Sequence, residues 1–268
     1  MKRSVNRLVP AAILLVAMAA MGCQDNINYL RARRSLNSGV KAFQAADFPR
    51  AAEHFSSAIE LDPALIDARS YRASAYMMQY VPGGESAEND RVAQQALDGF
   101  QEVLKEDPNN EVALLSMASL YFNMKEFDKA KNAYLGLVET YPNNKEAHYT
   151  IGVIAWTQTY QPRLEVRAEL GMKPDDPGPI RDQKAREELA QTSLPLVEEG
   201  LRHLERSIEI DPMYNDAMAY VNLLYREQAD LADNPADYEK YSGMADEWVQ
   251  RALDTAKQKA EAGTQDAF

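Results

Sequence analysis

Residues 118–142 read ASLYFNMKEFDKAKNAYLGLVETYP, and the spacing within them decides the fold. The small Ala130 is followed four residues later by the large Tyr134 and eight residues after that by Pro142. A motif with fixed internal offsets and unequal gaps between its copies predicts an array of helical repeats that carries insertions. The same offsets recur at three other places, which are Ala51, Phe55 and Pro63; Ala96, Phe100 and Pro108; and Gly200, Leu204 and Pro212.

The first half of each repeat is equally regular once insertions are set aside. A small residue precedes the closing proline by 24 residues in two copies, and by 35 and 60 residues in the other two. The longer copies therefore carry 11 and 36 extra residues, at about 81–91 and 160–194, between the two helices of a repeat. The pairs are Gly39 and Pro63, Ala118 and Pro142, Ala73 and Pro108, and Gly152 and Pro212.

Prolines mark where we expect these helices to stop. Pro142 ends one helix, and we expect Asn143 to cap the next one through its spacing to Glu146. Pro162 is expected to interrupt that next helix, and Pro195 to lead into the second helix of the same repeat. Both insertions leave the array on the same edge, so they build one rim. This rim is either decoration that shields helix ends or a contact surface.

These residues resemble the tetratricopeptide repeat (TPR) family, whose pattern W-x2-L-G-x2-Y, A-x3-F, P is matched by Ala73 with Tyr76, by Ala118 with Tyr121 and by the triplets above. The resemblance covers residues 32–256. It implies an all-α fold, a right-handed α-solenoid of about five helix hairpins with helical insertions in the second, fourth and fifth repeats. It is specific for the fold and unspecific for function.

The fifth repeat is degenerate, and a polar C-terminal tail is expected after it at 257–268. Asn222 stands where the small residue belongs, and Tyr225 follows at the expected offset. The alternative is an unrelated capping hairpin, since terminal repeats are atypical. Ala245, Val249 and Ala252 match the expected second helix of this repeat.

The first residues have the three-part layout of a secretory signal. Basic residues are followed by an uncharged run over 8–21 and then by Cys23, the single cysteine of the chain. Ala20-Met21-Gly22-Cys23 resembles the bacterial lipoprotein processing motif, with Ala20 in place of the usual Leu. We expect a signal peptide at 1–22, lipidation of Cys23 and a short tether and helix start at 23–31. Ordinary secretion with cleavage near Ala19 and an uncleaved anchor are the alternatives.

Composition narrows the function classes. The chain of 268 residues has a formal net charge of −12, which argues against nucleic acid and against a broad attraction to anionic lipid. With one cysteine no intramolecular disulfide forms. The sequence lacks zinc-ligand spacing, a phosphate-binding loop and a nucleophile elbow, so we predict no enzyme, no metal and no cofactor apart from the covalent lipid.

The resemblance also implies where a partner binds, because TPR arrays present their first helices to peptides or protein segments. Lys, Asn and Arg residues that clamp a C-terminal carboxylate in some members are replaced here by Leu36, Ser70, Leu115 and Tyr149. The alternative for the aromatic residues is that they pack against the large insertion. The predicted groove residues are Tyr71, Ser74 and Met77; Ser119, Phe122 and Asn123; and Tyr149, Val153 and Trp156.

Taken together, these patterns predict a non-enzymatic scaffold that binds a protein or peptide in the bacterial cell envelope. The resemblance to lipoproteins implies that it would be lipid-anchored at the outer membrane, in a cell that has one, and face the periplasm, since Gln24 and not Asp follows Cys23. Pilus, secretion and outer-membrane assembly are the candidate settings. The alternative is a lipoprotein that captures nutrients such as oligosaccharides.

Overall fold

The computed structural model describes residues 8–174 and 176–265, and in this part of the chain it contains ten α-helices and no strand. They group into two compact units that divide after Met124. The helices are α1 Leu8–Gln44, α2 Phe48–Leu61, α3 Ile66–Met77, α4 Ala87–Glu106, α5 Glu111–Asn123, α6 Phe127–Thr140, α7 Lys145–Glu169, α8 Gln183–Ile210, α9 Asn215–Asp230 and α10 Pro235–Gln265.

Helix starts follow from asparagine caps two residues after a repeat proline. The Asn110 side chain accepts the backbone N–H of Ala113 at 3.1 Å, and that of Asn144 accepts the N–H of Ala147 at 2.9 Å. A side-chain oxygen at this position satisfies one of the N–H groups left free at a helix start. The cap of α7 is therefore Asn144, and the expectation for Asn143 is wrong by one residue.

The first unit consists of the hairpins α1–α2 and α3–α4, followed by α5. Its first core joins α1, α2 and α3 around the fully buried Phe55. The ring of Phe55 lies so close to Gly39 that a Cβ at residue 39 would stand 2.5 Å from it. The expected small residue is thus required because the large residue of the second helix packs directly on it.

The second unit begins with α6 and continues with the hairpins α7–α8 and α9–α10. Gly152 repeats the arrangement, because a Cβ there would collide with the buried side chain of Leu204. Gly200 on α8 lies against Ala155 and Leu224, where a Cβ would stand 2.7 Å from each. Buried residues of α8, α9 and α10 form one core, which includes Ala245 of the degenerate repeat.

The large insertion lengthens two helices instead of adding new ones. Pro162 lies inside the continuous α7, so it does not interrupt the helix as expected, and Pro195 lies inside α8, which begins at Gln183 instead of near this proline. Between the two helices, residues 170–174 and 176–182 form an irregular connection. The 81–91 insertion is a turn followed by the start of α4, held where Asn89 bonds the backbone of Val81 in both directions, at 2.8 and 2.9 Å.

Residues 23–31, predicted as a short tether and helix start, lie within α1, and residues 257–265 of the predicted polar tail lie within α10. The rest of the tail and the first seven residues fall outside the described part of the chain. Within that part, no helix has the length and apolar character needed to span a membrane.

Two histidines form a contact between α7 and α8 that the sequence did not predict. His148 Nδ1 and His203 Nδ1 are 2.8 Å apart, and His148 Nε2 lies 3.1 Å from the carbonyl oxygen of Pro142. Donation from Nε2 to that carbonyl leaves Nδ1 of neutral His148 as acceptor, so His203 Nδ1–H donates. Burial lowers the pKa of His148 and brings the pKa of His203 to about 4.

We expect Gly152→Ala to destabilise the second unit by about 1–3 kcal/mol, because its methyl group would overlap Leu204 in a packed core. Gly136→Ala on α6 is the matched control, since a Cβ there meets nothing within 4 Å. The control should be neutral or stabilising by up to about 1 kcal/mol, because alanine is the better helix former. Urea unfolding followed by circular dichroism measures both changes, and equal stability of the two variants would contradict the packing.

We also expect the free energy of unfolding to fall as the pH drops from about 6.5 towards 4. The unfolded chain binds a proton on His203 in this window and the folded chain does not, so protons favour unfolding. Partial exposure of His203 limits the effect to about 1 kcal/mol. The urea midpoint of unfolding is measured at pH 7 and at pH 5. The difference between the two midpoints should be smaller in His203→Gln than in wild type, whereas His54→Gln, on α2, should keep the wild-type difference. An unchanged difference in His203→Gln would refute this assignment.

Candidate functional site

The nine predicted groove residues are divided between the two units. In the first unit, α3 and α5 are in contact, and between them lies a cleft of about 260 Å³. Tyr71 and Ser74, two of the predicted groove residues, line this cleft. Met77 instead packs against the core of α3, α4 and α5. Ser119, Phe122 and Asn123 lie half-buried on α5.

Tyr71 is held at the edge of this cleft by aromatic contacts. Its ring stacks on Phe55 with a centroid distance of 5.4 Å and an interplanar angle of 15°, and it meets Phe43 edge-on at 6.4 Å. The side chain is 41% exposed, so one ring face is fixed while the rest stays accessible. Asp67 also lines the cleft, which makes it unfavourable for a carboxylate.

The second unit holds a larger aromatic surface, which we call the aromatic row. It consists of Tyr149, Trp156 and Tyr160 on α7, Tyr220 on α9, and Tyr214, the residue just before α9. Tyr149 lies 5.0 Å from Tyr214 and 5.5 Å from Tyr220, and Trp156 lies 5.5 Å from Tyr220 and 4.8 Å from Tyr160, all between ring centroids. These edge-on and tilted contacts are the arrangements that aromatic pairs prefer.

The structure therefore answers what Tyr149 and Trp156 pack against. Tyr149 packs against tyrosines of the next repeat, and Trp156 packs against Tyr220 and against Tyr160, where the insertion begins; both also lie on the underlying core. Both remain half-buried, so each keeps part of its surface open. Val153, between them in sequence, is only 7% exposed and belongs to the core. Two of the three α7 predictions thus lie on an accessible surface.

Acidic residues surround one end of the aromatic row. Burial raises the pKa of Tyr214 to about 12, and Glu146, Asp216 and Asp211 add to this shift. Burial likewise raises the pKa of Tyr149, with smaller contributions from Tyr220 and Tyr214. Both phenols therefore stay protonated at neutral pH and can donate hydrogen bonds.

The other end of the row is closed by an ion cluster of Arg163, Arg167, Glu227 and Asp230. Arg163 Nε lies 3.0 Å from both carboxylate oxygens of Glu227, and its Nη1 is 2.6 Å from Asp230. Arg167 Nη1 reaches the other oxygen of Asp230 at 2.7 Å. Arg167 and Glu227 are 1% and 2% exposed. Buried charges of this kind persist only when they are paired and hydrogen-bonded.

The ion cluster also ties the insertion to α9. Arg167 donates to the carbonyl oxygens of Lys173 and Asp176 at 3.0 and 2.6 Å. The backbone N–H of Ile180 donates to the carbonyl oxygen of Asp230 at 3.0 Å, and Ile180 is fully buried. Removing one arginine would leave buried carboxylates without a partner, so these ion pairs contribute to holding the insertion on α9.

The sequence analysis missed three members of the aromatic row, although a signal for one of them was present. Tyr71 precedes the small residue Ala73 by two, and Tyr220 precedes Asn222 by the same offset. Asn222 stands where a small residue is expected, which makes the fifth repeat look degenerate. No groove residue was therefore predicted on its first helix. The ion cluster had no such signal, because each arginine is more than 60 residues away from the acidic residue that it contacts.

The described residues contain no group of three or more His, Cys, Asp or Glu side chains placed to hold a metal ion. Burial and contacts with neighbouring side chains account for the shifted pKa values of Tyr149, Tyr214 and His203. What the geometry offers is a surface of fixed rings with protonated hydroxyl groups, which suits binding more than bond-breaking chemistry.

Comparison with known proteins agrees with this architecture. Residues 93–152 match the model of the tetratricopeptide repeat family. No curated protein sequence matches the chain.

Solved structures resemble the chain over most of its length. A MamA protein is 14% identical with a TM-score of 0.57, and the match covers 86% of this chain and 94% of MamA. MamA 41-end from Desulfovibrio magneticus RS-1 is 13% identical with a TM-score of 0.57, covering 85% and 96%. YrrB, described as a TPR protein with an unusual peptide-binding site, is 14% identical with a TM-score of 0.53, covering 87% and 91%. These likenesses confirm the expected all-α fold of sequential hairpins, which is similar to the folds of MamA and YrrB, and a tetratricopeptide repeat is matched within residues 93–152.

Proposed function

We propose that this protein is a non-enzymatic scaffold that binds a segment of a partner protein on the aromatic row. The observation that carries the proposal is the continuous set of half-buried rings on α7 and α9 in the second unit. Tyrosine and tryptophan give large contact areas at a small cost in side-chain entropy, and they are enriched where proteins bind each other. YrrB shows that an array of this fold can hold a peptide.

The structure supports a defined position for the bound segment. The ion cluster closes the row beyond Arg163, and Lys145 lies 5.2 Å from the ring of Tyr214 at the opposite end. Between these limits Tyr149, Trp156 and Tyr220 form the middle of the row. Hot spots concentrate at the centre of an interface, so Trp156 and Tyr149 are the anchors in this proposal.

A free C-terminal carboxylate is not the group recognised in this proposal. Ser70 and Tyr149 replace the basic residues of carboxylate-clamping arrays, and acidic residues line both the cleft of the first unit and one end of the aromatic row. An internal segment with apolar or aromatic side chains fits these surfaces better, because it adds no negative charge.

We further propose that the scaffold is tethered to the cell envelope through lipid on Cys23, at the outer membrane and facing the periplasm. The basis is the signal-like layout of 1–22, the cysteine that follows it and Gln24 after that cysteine. Two or more acyl chains give stable anchoring, so no membrane-spanning helix is needed. Assembly of a pilus, secretion or outer-membrane complex is the setting proposed for the partner.

Oligosaccharide capture is the second candidate, and the aromatic row is the observation in its favour. Rings with adjacent protonated hydroxyl groups can also stack on and bond to sugars. The two functions differ in the molecule that binds to the aromatic row, which is a protein segment in one case and a glycan in the other. Identifying the bound molecule by crosslinking therefore separates them.

Replacing Trp156 with alanine should weaken recovery of the partner by about 2 kcal/mol, or roughly 30-fold, because a central anchor is lost. Trp248→Ala is the matched control, since Trp248 on α10 is also partly buried against the same core.

A photo-crosslinking residue placed at position 149 or 248, followed by purification and mass spectrometry, identifies the molecules that contact each position. Protein adducts should form at position 149 and not at 248.

Other outcomes would count against this assignment. A glycan recovered without any protein partner would favour sugar capture. Equal adducts at both positions, or full recovery by a folded Trp156→Ala variant, would move the contact surface away from the aromatic row and towards the insertion.

Cys23→Ser should let a wash in high salt release the processed protein from the membrane fraction, because serine cannot carry the thioether-linked lipid. The wild-type chain should stay with the membranes after a wash in high salt. The distribution is measured by fractionation and immunoblotting, with mass spectrometry of the N-terminal peptide. If the variant is cleaved and still remains with the membrane after the same wash in high salt, lipidation of Cys23 is not the anchor.

A further inference from the structure

One face of α1 combines apolar and basic side chains in an unusual way for this chain. Ile27, Leu30, Arg31 and Arg34 follow at helical spacing of three and four residues, so they share one face. Ile27 is 45% exposed and Leu30 is 67% exposed, and both arginines are exposed. We call these four residues the α1 face.

The opposite side of α1 explains why this face is free. Ala32 and Leu36 are buried in the core of the first unit, with Ala32 fully covered. On the flank between the two sides, Arg33 lies 5.4 Å from the ring of Tyr29, which is 48% exposed. The core therefore holds one side of the helix and fixes the α1 face outward.

The charge of this region is opposite to that of the whole chain. Residues 26–46 contain four basic residues and no acidic residue, whereas the formal net charge of the chain is −12. A solubilising surface would continue the acidic character seen elsewhere. A cluster of arginines beside large exposed apolar side chains is instead the composition of helices that lie on anionic membranes.

We propose that the α1 face rests on an anionic phospholipid bilayer. Ile27 and Leu30 enter the interface between headgroups and acyl chains, while Arg31 and Arg34 extend to lipid phosphate groups. The uncharged run over 8–21 precedes this face in the same continuous helix, which places an apolar segment next to it along the chain. The contact orients the first unit at the membrane and does not require lipid on Cys23.

The test uses the full-length chain with Cys23→Ser, so that no acyl group dominates binding. Flotation with vesicles of zwitterionic phosphatidylcholine, with or without added anionic phosphatidylglycerol, gives the preference for anionic lipid. The variant Arg31→Gln, Arg33→Gln and Arg34→Gln removes the basic cluster. The control Lys184→Gln, Lys240→Gln and Lys257→Gln removes the same charge from exposed positions on α8 and α10.

The arginine variant should lose about tenfold or more of its preference for anionic vesicles, and the lysine control should keep it. Residues 1–22 are identical in all variants, so they cannot cause the difference. Leu30→Ser should weaken binding to both kinds of vesicle without changing the preference. An arginine variant that binds like wild type, or a lysine control with the same loss, overturns the proposal.

Discussion

The fold depends on close contact between a residue without a bulky side chain on one helix and a large side chain on the next. Gly39 accepts the ring of Phe55 and Gly152 accepts Leu204, in both cases at distances that leave no room for a Cβ. The contact sets how near the two helices approach. Each repeat cannot bury its apolar stripe alone, so the same contact has to recur along the array.

The aromatic row follows from this packing and not from any single helix. Once α7 and α9 of successive repeats are drawn together, Tyr149 and Trp156 meet Tyr214 and Tyr220, and the rings stabilise one another. The ion cluster then holds the lengthened helix α7 against α9 where the row ends. Rings that already pack on one another favour binding, because fewer side chains have to be ordered when a partner binds.

Much of the architecture was predictable because its signals are local. The offsets around Pro63, Pro108, Pro142 and Pro212 identified four of the five repeats, and the capping asparagine was missed by one residue only. The continuity of α7 and α8 through Pro162 and Pro195 was not predictable, since a proline's cost is local while the packing that outweighs it comes from other helices. Tyr220 was predictable from its offset of two residues from the repeat position at 222, but an asparagine at that position obscures the repeat.

The sequence by itself determined the repeat class, the place and length of the insertions, and a candidate anchor at Cys23, because these depend on spacing along the chain. Only the tertiary structure decided that Val153 is buried while Trp156 stays accessible, and that Arg163 and Arg167 meet acids more than 60 residues away. The physical reason is that burial and pairing depend on which helix face is covered by a neighbour, and helical periodicity alone does not contain that information.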